Sequence, residues 1–134
     1  MAQRRCLVID ASLNKRLSTE LRNRGRNAVS AAQLRLARVG DPLLLRGVAE
    51  KYIDWILITA DDIMPLTHAD VITETQATIA TIAPEISPPY GENEVDVWRR
   101  EIVHRWAHAM EDQTAYTFRR YYLTTHRLWT PSRR

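Results

Sequence analysis

Four aspartates stand where a predicted strand ends or a predicted helix begins. Asp10 follows a short run of Leu, Val and Ile, and Asp41 directly precedes a proline. Asp61 and Asp62 follow a second apolar run. In an open parallel α/β sheet, ligands bind at the carboxyl ends of the strands, so we expect these carboxylates to converge there. Clustered carboxylates repel one another unless they share a cation. The pattern therefore predicts a site for Mg²⁺ or Mn²⁺ rather than a pure binding module.

Each of these aspartates also has a structural interpretation. Asp41 followed by Pro42 is a good helix N-cap with proline at the first helical position, and one residue can serve both purposes. Asp10 could cap a helix after its strand, and Asp61 and Asp62 could form an ordinary turn. However, two adjacent like charges after a buried strand are unfavourable without compensation, which favours a functional interpretation of this pair.

The order of the predicted elements indicates the fold class. The predicted strands are residues 5–9, 27–30, 55–59 and, with helix as an open alternative, 75–82. Ser12 is a candidate cap for a first helix in which Leu13, Leu17 and Leu21 recur at four-residue steps. A second helix is predicted over residues 41–53. This alternation predicts an α/β fold with a mostly parallel central sheet flanked by helices.

Length and composition favour one domain. The chain has 134 residues, of which 45% are hydrophobic and 26% charged, as in ordinary globular domains. We expect a core over residues 4–83, a proline-rich loop at 84–92, and a C-terminal helix with a basic, aromatic tail in 93–134. No apolar stretch reaches the roughly 20 residues of a membrane span, so no membrane partner is expected. Cys6 is the only cysteine, which fits a reducing cytoplasm.

The C-terminal helix is predicted to be long, from about residue 93 to residue 119 or 120. One stripe of this helix is apolar and carries Val95, Trp98, Ile102, Trp106 and Met110. Such a stripe is too apolar to face solvent. We therefore expect it to pack on the sheet, on a second copy of the chain in a homodimer, or on both.

Charge is distributed unevenly along the chain. Residues 1–46 carry ten basic and three acidic residues, residues 47–97 carry one and ten, and residues 98–134 carry eight and three. This layout suits a nucleic-acid-contacting surface around an acidic metal centre, with solvated helix faces as the equally open alternative. The arginines that we expect to contact an RNA backbone are Arg16, Arg22, Arg119 and Arg120.

Three segments together resemble the PIN-like nuclease superfamily. They are the strand ending in Asp10-Ala11-Ser12, the helix start Gly40-Asp41, and the strand ending in Thr59-Ala60-Asp61. Their order and spacing over about residues 5–64 are similar to those of a short PIN-like branch that includes toxin ribonucleases of the VapC type. Asp10, Asp41 and Asp61 match the metal-binding aspartates of that pattern, and Ser12 takes the position of its accessory polar residue.

This resemblance implies a metal-dependent endoribonuclease, the toxin of a bacterial toxin–antitoxin pair. Asp10, Asp41 and Asp61 would be the catalytic residues and metal ligands, with Asp62 as a further ligand. The implied partners are RNA and a cognate antitoxin protein. The branch often has a further aspartate where this chain has Ile63.

Two other functions are open. The first is a catalytically silent PIN-like domain that binds RNA or a protein, which the absence of an acidic residue at Ile63 favours. The second is a receiver-like phosphoacceptor with Asp10, Asp61 and Asp62 in its acidic pocket. That function would require an acceptor aspartate at the end of a middle strand and a lysine on a later strand, and no residues convincingly supply them.

Overall fold

The computed structural model describes residues 5–14, 16–61, 67–82 and 94–121, which form an α/β fold around a five-stranded sheet. The strands are β1 (Cys6–Ile9), β2 (Ala28–Ser30), β3 (Trp55–Thr59), β4 (Ile79–Ile82) and β5 (Phe118–Tyr121). The helices are α1 (Leu17–Asn23), α2 (Asp41–Lys51), α3 (Ala69–Thr75), α4 (Glu94–Glu101) and α5 (Ala107–Glu111), and a π-helical segment (Ile102–Trp106) joins α4 to α5. The predicted α/β class with a parallel sheet is confirmed.

All neighbouring strands of the sheet run parallel, in the order β2-β1-β3-β4-β5. From β1 the chain moves outward to β2, and then crosses back to β3 and continues to β4 and β5. The strands are therefore added to one side of β1 first and then to the other, so the strand order switches between β1 and β3. In doubly wound sheets the crevice at such a switch point is the usual place for a ligand.

The two central strands form because their side chains are apolar on both faces of the sheet. Every residue of β1 and of β3 is buried, as expected for parallel strands covered by helices on both sides. One face packs on α1 and the C-terminal helices, and its core includes Leu7, Ile58, Leu17, Leu21, Ile102 and Met110. The other face packs on α2 and α3, and its core includes Val8, Leu57, Leu45, Val48 and Val71.

The first helix begins later than its sequence predicts. α1 starts at Leu17 with Arg16 as its N-cap, and the Arg16 backbone N–H donates to Asn14 Oδ1 over 2.8 Å. The prediction of Ser12 as the cap is therefore wrong, because the Ser12 hydroxyl is bonded to Asp10 instead. The helix ends at Asn23, shortly before Gly25, whose φ of +84° is a left-handed conformation that favours glycine.

One long C-terminal helix is not confirmed. The described helical segments end at Glu111 and not at residue 119 or 120, and residues 118–121 form strand β5. The buried Gln113 side chain directs this turn, because its Nε2 donates to the Ile79 carbonyl over 2.9 Å and to the Thr117 carbonyl over 3.2 Å. Residue 75, predicted at the start of a strand, instead ends α3.

Four of the five residues of the apolar stripe pack on the sheet, as expected, and the side chain of Val95 lies outside the described part of the chain. Trp98, Ile102 and Met110 are buried in one core with β1 and β3, and Trp106 is partly buried against it. The homodimer stays a prediction. Asp62, the proline-rich loop 84–92 and the tail beyond residue 121 lie outside the described residues. Among the described helices, none has the length and apolarity needed to cross a membrane.

Candidate functional site

Asp10 lies at the carboxyl end of β1, where two hydroxyl groups fix its side chain. Ser12 Oγ donates to Asp10 Oδ2 over 2.6 Å, and Thr59 Oγ1 donates to the same oxygen over 2.8 Å. The Asp10 backbone N–H donates to the Ile58 carbonyl over 2.9 Å, which holds this residue against β3. The Asp10 carboxylate is therefore oriented from both sides of the switch point.

The same two hydroxyls also hold the backbone that follows β3. Thr59 Oγ1 accepts from the Asp61 N–H over 3.0 Å, and Ser12 Oγ accepts from the Ala60 N–H over 3.1 Å. Thr59 is fully buried, and both of its hydrogen-bonding capacities are used. Asp10 and Asp61 are thus joined through one hydroxyl group, although 51 positions separate them in the sequence.

Asp41 reaches this edge of the sheet from the start of α2. The N-cap of α2 is Gly40, and no side chain caps the helix. The expectation that Asp41 is the N-cap is therefore wrong, and capping does not explain its position. Asp41 Oδ2 lies 3.4 Å from His68 Nε2, at the N-cap of α3.

The pKa of Asp41 is raised above its ordinary value. Partial burial is the largest cause, followed by the negative charges of Asp10 and Asp61, while His68 acts in the opposite direction. Asp10, Asp41 and Asp61 therefore form an electrostatically coupled group that a proton or a cation would stabilise.

The oxygen atoms of this group are suited to a hard divalent cation. Within the described residues, no three His, Cys, Asp or Glu side chains surround one position that a metal ion could occupy. Mg²⁺, however, usually keeps several waters and needs only one or two protein carboxylates besides substrate phosphates. The Asp41–Asp61 pair could hold Mg²⁺ or Mn²⁺ in this way, because carboxylate oxygens are the ligands that these ions prefer.

The four arginines expected to contact RNA occupy different surroundings. Arg16 precedes α1 at the edge of the sheet that carries Asp10, and Arg119 and Arg120 lie on the edge strand β5. Arg22 is engaged within the protein, because its guanidinium donates to the Ala28 carbonyl over 2.9 Å and to Gln33 Oε1 over 3.0 Å. The structure thus gives Arg22 a role in joining α1 to β2.

Sequence reasoning did not assign two residues of this site. In the sequence, Thr59 stands out only as part of the strand ending in Thr59-Ala60-Asp61, and no local pattern marks His68. The burial of a hydroxyl at the end of a strand is a signal that could have marked Thr59. Nothing in the local sequence around His68 indicates its approach to Asp41, since that contact depends on the packing of α3 beside α2.

Comparison with protein-family models, with curated proteins and with solved structures found no match to this chain.

Proposed function

We propose that this protein is a metal-dependent phosphodiesterase of the PIN-like type that cleaves RNA. The observation that carries the proposal is the link between Asp10 and Asp61 through the Thr59 hydroxyl at the switch point of a parallel sheet. Asp41 is close enough for the charges of both to raise its pKa. Asp10 follows β1, Asp61 follows β3, and Asp41 begins α2. Such a group is costly for the fold, and the structural interpretation of Asp41 as a helix cap does not account for it.

Each residue has a distinct part in the proposed reaction. Asp41 and Asp61 would hold Mg²⁺ or Mn²⁺, with Asp62 as a further candidate ligand from the sequence. When bound, such an ion lowers the pKa of a water and stabilises the charge that develops on a phosphate. Asp10 would orient the attacking water, because the hydroxyls of Ser12 and Thr59 hold its side chain through Oδ2. His68 would position the Asp41 carboxylate.

The polyanionic substrate is supported by the distribution of charge. Basic residues predominate in residues 1–46 and 98–134, and Arg16 lies beside the end of β1 that carries the carboxylates. Basic side chains around an acidic metal centre would attract a phosphate backbone. A bacterial toxin inhibited by an antitoxin, acting as a homodimer in the cytoplasm, is the biological setting that we propose.

A catalytically silent PIN-like domain is the second candidate. The sequence favours it at one point, since Ile63 stands where the related branch often has an acidic residue. The number of acidic groups at the site would then suffice for binding a cation but not for hydrolysis.

Cleavage of single-stranded RNA separates these two functions. We expect the purified protein to cleave RNA with Mg²⁺ or Mn²⁺ and not with EDTA, and Asp10→Asn to abolish cleavage while keeping the fold. Asp70→Asn is the matched control, because Asp70 is an exposed acidic residue in the first turn of α3. Cleavage by the Asp10→Asn protein at the wild-type rate would refute the role of Asp10. RNA binding without cleavage by the wild type would favour the silent domain.

A further inference from the structure

The loop between β2 and α2 begins and ends beside the carboxylates. The Ala31 backbone N–H donates to the carbonyl of Ile9 over 2.8 Å, and Ile9 directly precedes Asp10. The loop ends at the N-cap of α2, and Asp41 follows. Residues 31–39 therefore run along the carboxyl edge of the sheet on the side of β2, and we call them the edge loop.

Apolar side chains anchor the edge loop to the core between the sheet and α2. Four of them pack against that core, namely Leu34, Leu36, Ala37 and Val39. Leu36 lies against Gly47 of α2, where an added Cβ atom would come within 2.8 Å of Leu36 Cδ1. Glycine inside a helix lowers its stability, so α2 is weakened at the position that seats the loop. The edge loop is therefore a packed part of the carboxyl edge.

Two arginines alternate with these apolar residues and face solvent. Arg35 and Arg38 are exposed, and neither guanidinium has an ion pair or a hydrogen bond within the described part of the chain. Arg38 is three residues before Asp41, so their Cα atoms are at most about 11 Å apart. A guanidinium group so placed is suited to a phosphate held near the carboxylates, because its planar donors match phosphate oxygens.

The backbone of Arg35 has a conformation that favours glycine. Its φ is +62°, the Leu36 N–H donates to the Ala31 carbonyl over 2.8 Å, and the Arg35 N–H donates to the Ala32 carbonyl over 3.0 Å. This is the Schellman pattern, which usually has glycine at the position of Arg35. A Cβ atom makes the conformation costly, and residues that carry such a cost often serve a function. Binding of an anion would account for an arginine here.

The other side of the carboxylates is acidic. Helix α3, which follows β3, contains Asp70 and Glu74 and no basic residue in its last turn. Arg46 of α2 is paired with Glu74 over 2.8 Å. A phosphate backbone would therefore be attracted to the edge loop and repelled by α3.

We propose that Arg35 and Arg38 bind phosphates of single-stranded RNA on the β2 side of the carboxylates, so that the edge loop holds the substrate backbone as it enters the site. This assignment rests on the proposed function. The two Cα atoms are at most about 11 Å apart, which suits separate phosphates of one strand. Phosphate contacts carry no sequence information, so the edge loop would position RNA of any sequence.

Binding of a single-stranded RNA oligonucleotide in EDTA tests the edge loop without requiring cleavage. We expect the double variant Arg35→Gln and Arg38→Gln to bind roughly tenfold more weakly, as for the loss of two exposed charge contacts. The dependence of log Kd on log salt concentration should fall by about 1.4, because each phosphate contact of a single strand contributes about 0.7.

Arg24→Gln is the matched control. The guanidinium of Arg24 is also exposed and without an ion pair or hydrogen bond among the described residues. Arg24 lies at the C-cap of α1, before the start of β2, and therefore at the opposite end of the sheet. Its replacement should leave Kd and the salt dependence unchanged. Equal effects of Arg24→Gln and Arg38→Gln would refute a directed contact, because they would indicate a general attraction to basic surface.

Arg35→Gly separates a binding role from a structural one. Glycine adopts the left-handed conformation without strain, so the melting temperature should stay the same or rise while RNA binding weakens. A lower melting temperature with unchanged RNA binding would refute the assignment of Arg35.

The outcomes for the edge loop and for catalysis can be told apart. If the double variant binds RNA as tightly as the wild type, or if the wild type does not bind RNA in EDTA, the edge-loop proposal is refuted, whatever the cleavage assay shows. If the double variant binds more weakly but the wild type does not cleave with Mg²⁺ or Mn²⁺, the edge-loop proposal stands and the proposed hydrolysis fails.

Discussion

Replacing Asp41 with asparagine should stabilise the protein when no divalent cation is present. The change keeps the shape of the side chain and removes one of three negative charges that meet at the switch point. Residues placed for function often cost stability, so substitutions that relieve the cost raise the melting temperature. A side chain placed for structure alone would show the opposite effect.

The size of this effect follows from the surroundings of Asp41. Two like charges 4 Å apart repel by about 1 kcal/mol in water and by about 4 kcal/mol at an effective dielectric constant of about 20. The Asp41 side chain is 27% exposed, so an intermediate value of about 2 kcal/mol is reasonable. Losing the favourable charge at the start of α2 and the contact with His68 costs about 1 kcal/mol together. The net gain is about 1 kcal/mol, or about 4 °C in melting temperature.

The pH dependence of stability gives this prediction a distinct signature. Because the pKa of Asp41 is raised in the folded protein, the folded state binds a proton more tightly than the unfolded state does. The unfavourable contribution of Asp41 is therefore absent below the ordinary aspartate value of 3.8. It develops as pH rises from that value to the raised folded pKa, and it is complete above the folded pKa. The advantage of Asp41→Asn should be present at pH 7 and lost near pH 3.5.

Thermal unfolding in EDTA, at pH 7 and at acid pH, measures this difference. Adding Mg²⁺ or Mn²⁺ at about 100 times its Kd should stabilise the wild type by about 2.7 kcal/mol, and Asp41→Asn by less. Asp70→Asn, the control at the start of α3, should be neutral or slightly destabilising and should respond to the metal as the wild type does. A lower melting temperature for Asp41→Asn than for the wild type at pH 7 in EDTA would refute the reasoning.

Two further predictions concern the core. Trp106→Ala should destabilise the fold by about 2 kcal/mol, because the ring is partly buried and lies edge-to-face with Tyr121 at 5.8 Å. Loss of the unpaired indole N–H offsets part of this cost. An unchanged urea midpoint would contradict the prediction, and size-exclusion chromatography would detect loss of a dimer. Burial raises the pKa of the Cys6 thiol to about 11. The thiol of the folded protein should therefore resist iodoacetamide at pH 8 and react only after unfolding. Rapid labelling of the folded protein would contradict this prediction, because it would show that Cys6 is accessible.

The sequence predicts the central strands well because their signal is local. β1 and β3 are short runs of apolar residues buried on both faces, and runs of that kind are typical of a parallel sheet. β5 has no such signal. Its residues Phe118 to Tyr121 include two arginines, and the strand lies at the edge of the sheet. It is a strand because it pairs with β4 and because Gln113 turns the chain after α5, which are contacts that no periodicity reveals.

Ser12 shows the same limit at the site. By position it is a good helix cap, but its hydroxyl donates to Asp10 and accepts from the Ala60 N–H, 48 positions away. A local pattern cannot choose between a nearby backbone group and a distant one that the fold delivers. The sequence could place Ser12 next to Asp10, and only the pairing of β1 with β3 assigns its hydrogen bonds.

The aspartates and the register of the neighbouring strands depend on the sequence in different ways. Each aspartate follows a strand or begins a helix, so parallel topology alone brings it to the carboxyl edge of the sheet. The alignment of Thr59, Thr81 and Arg120 across β3, β4 and β5 needs one register at two strand pairs. A slip of one residue would turn a strand's whole set of side chains to the other face. Apolar residues on both faces of β4 tolerate either orientation, so the hydrophobic pattern does not fix this register. The pairing of Thr81 with its neighbours therefore had to come from the structure.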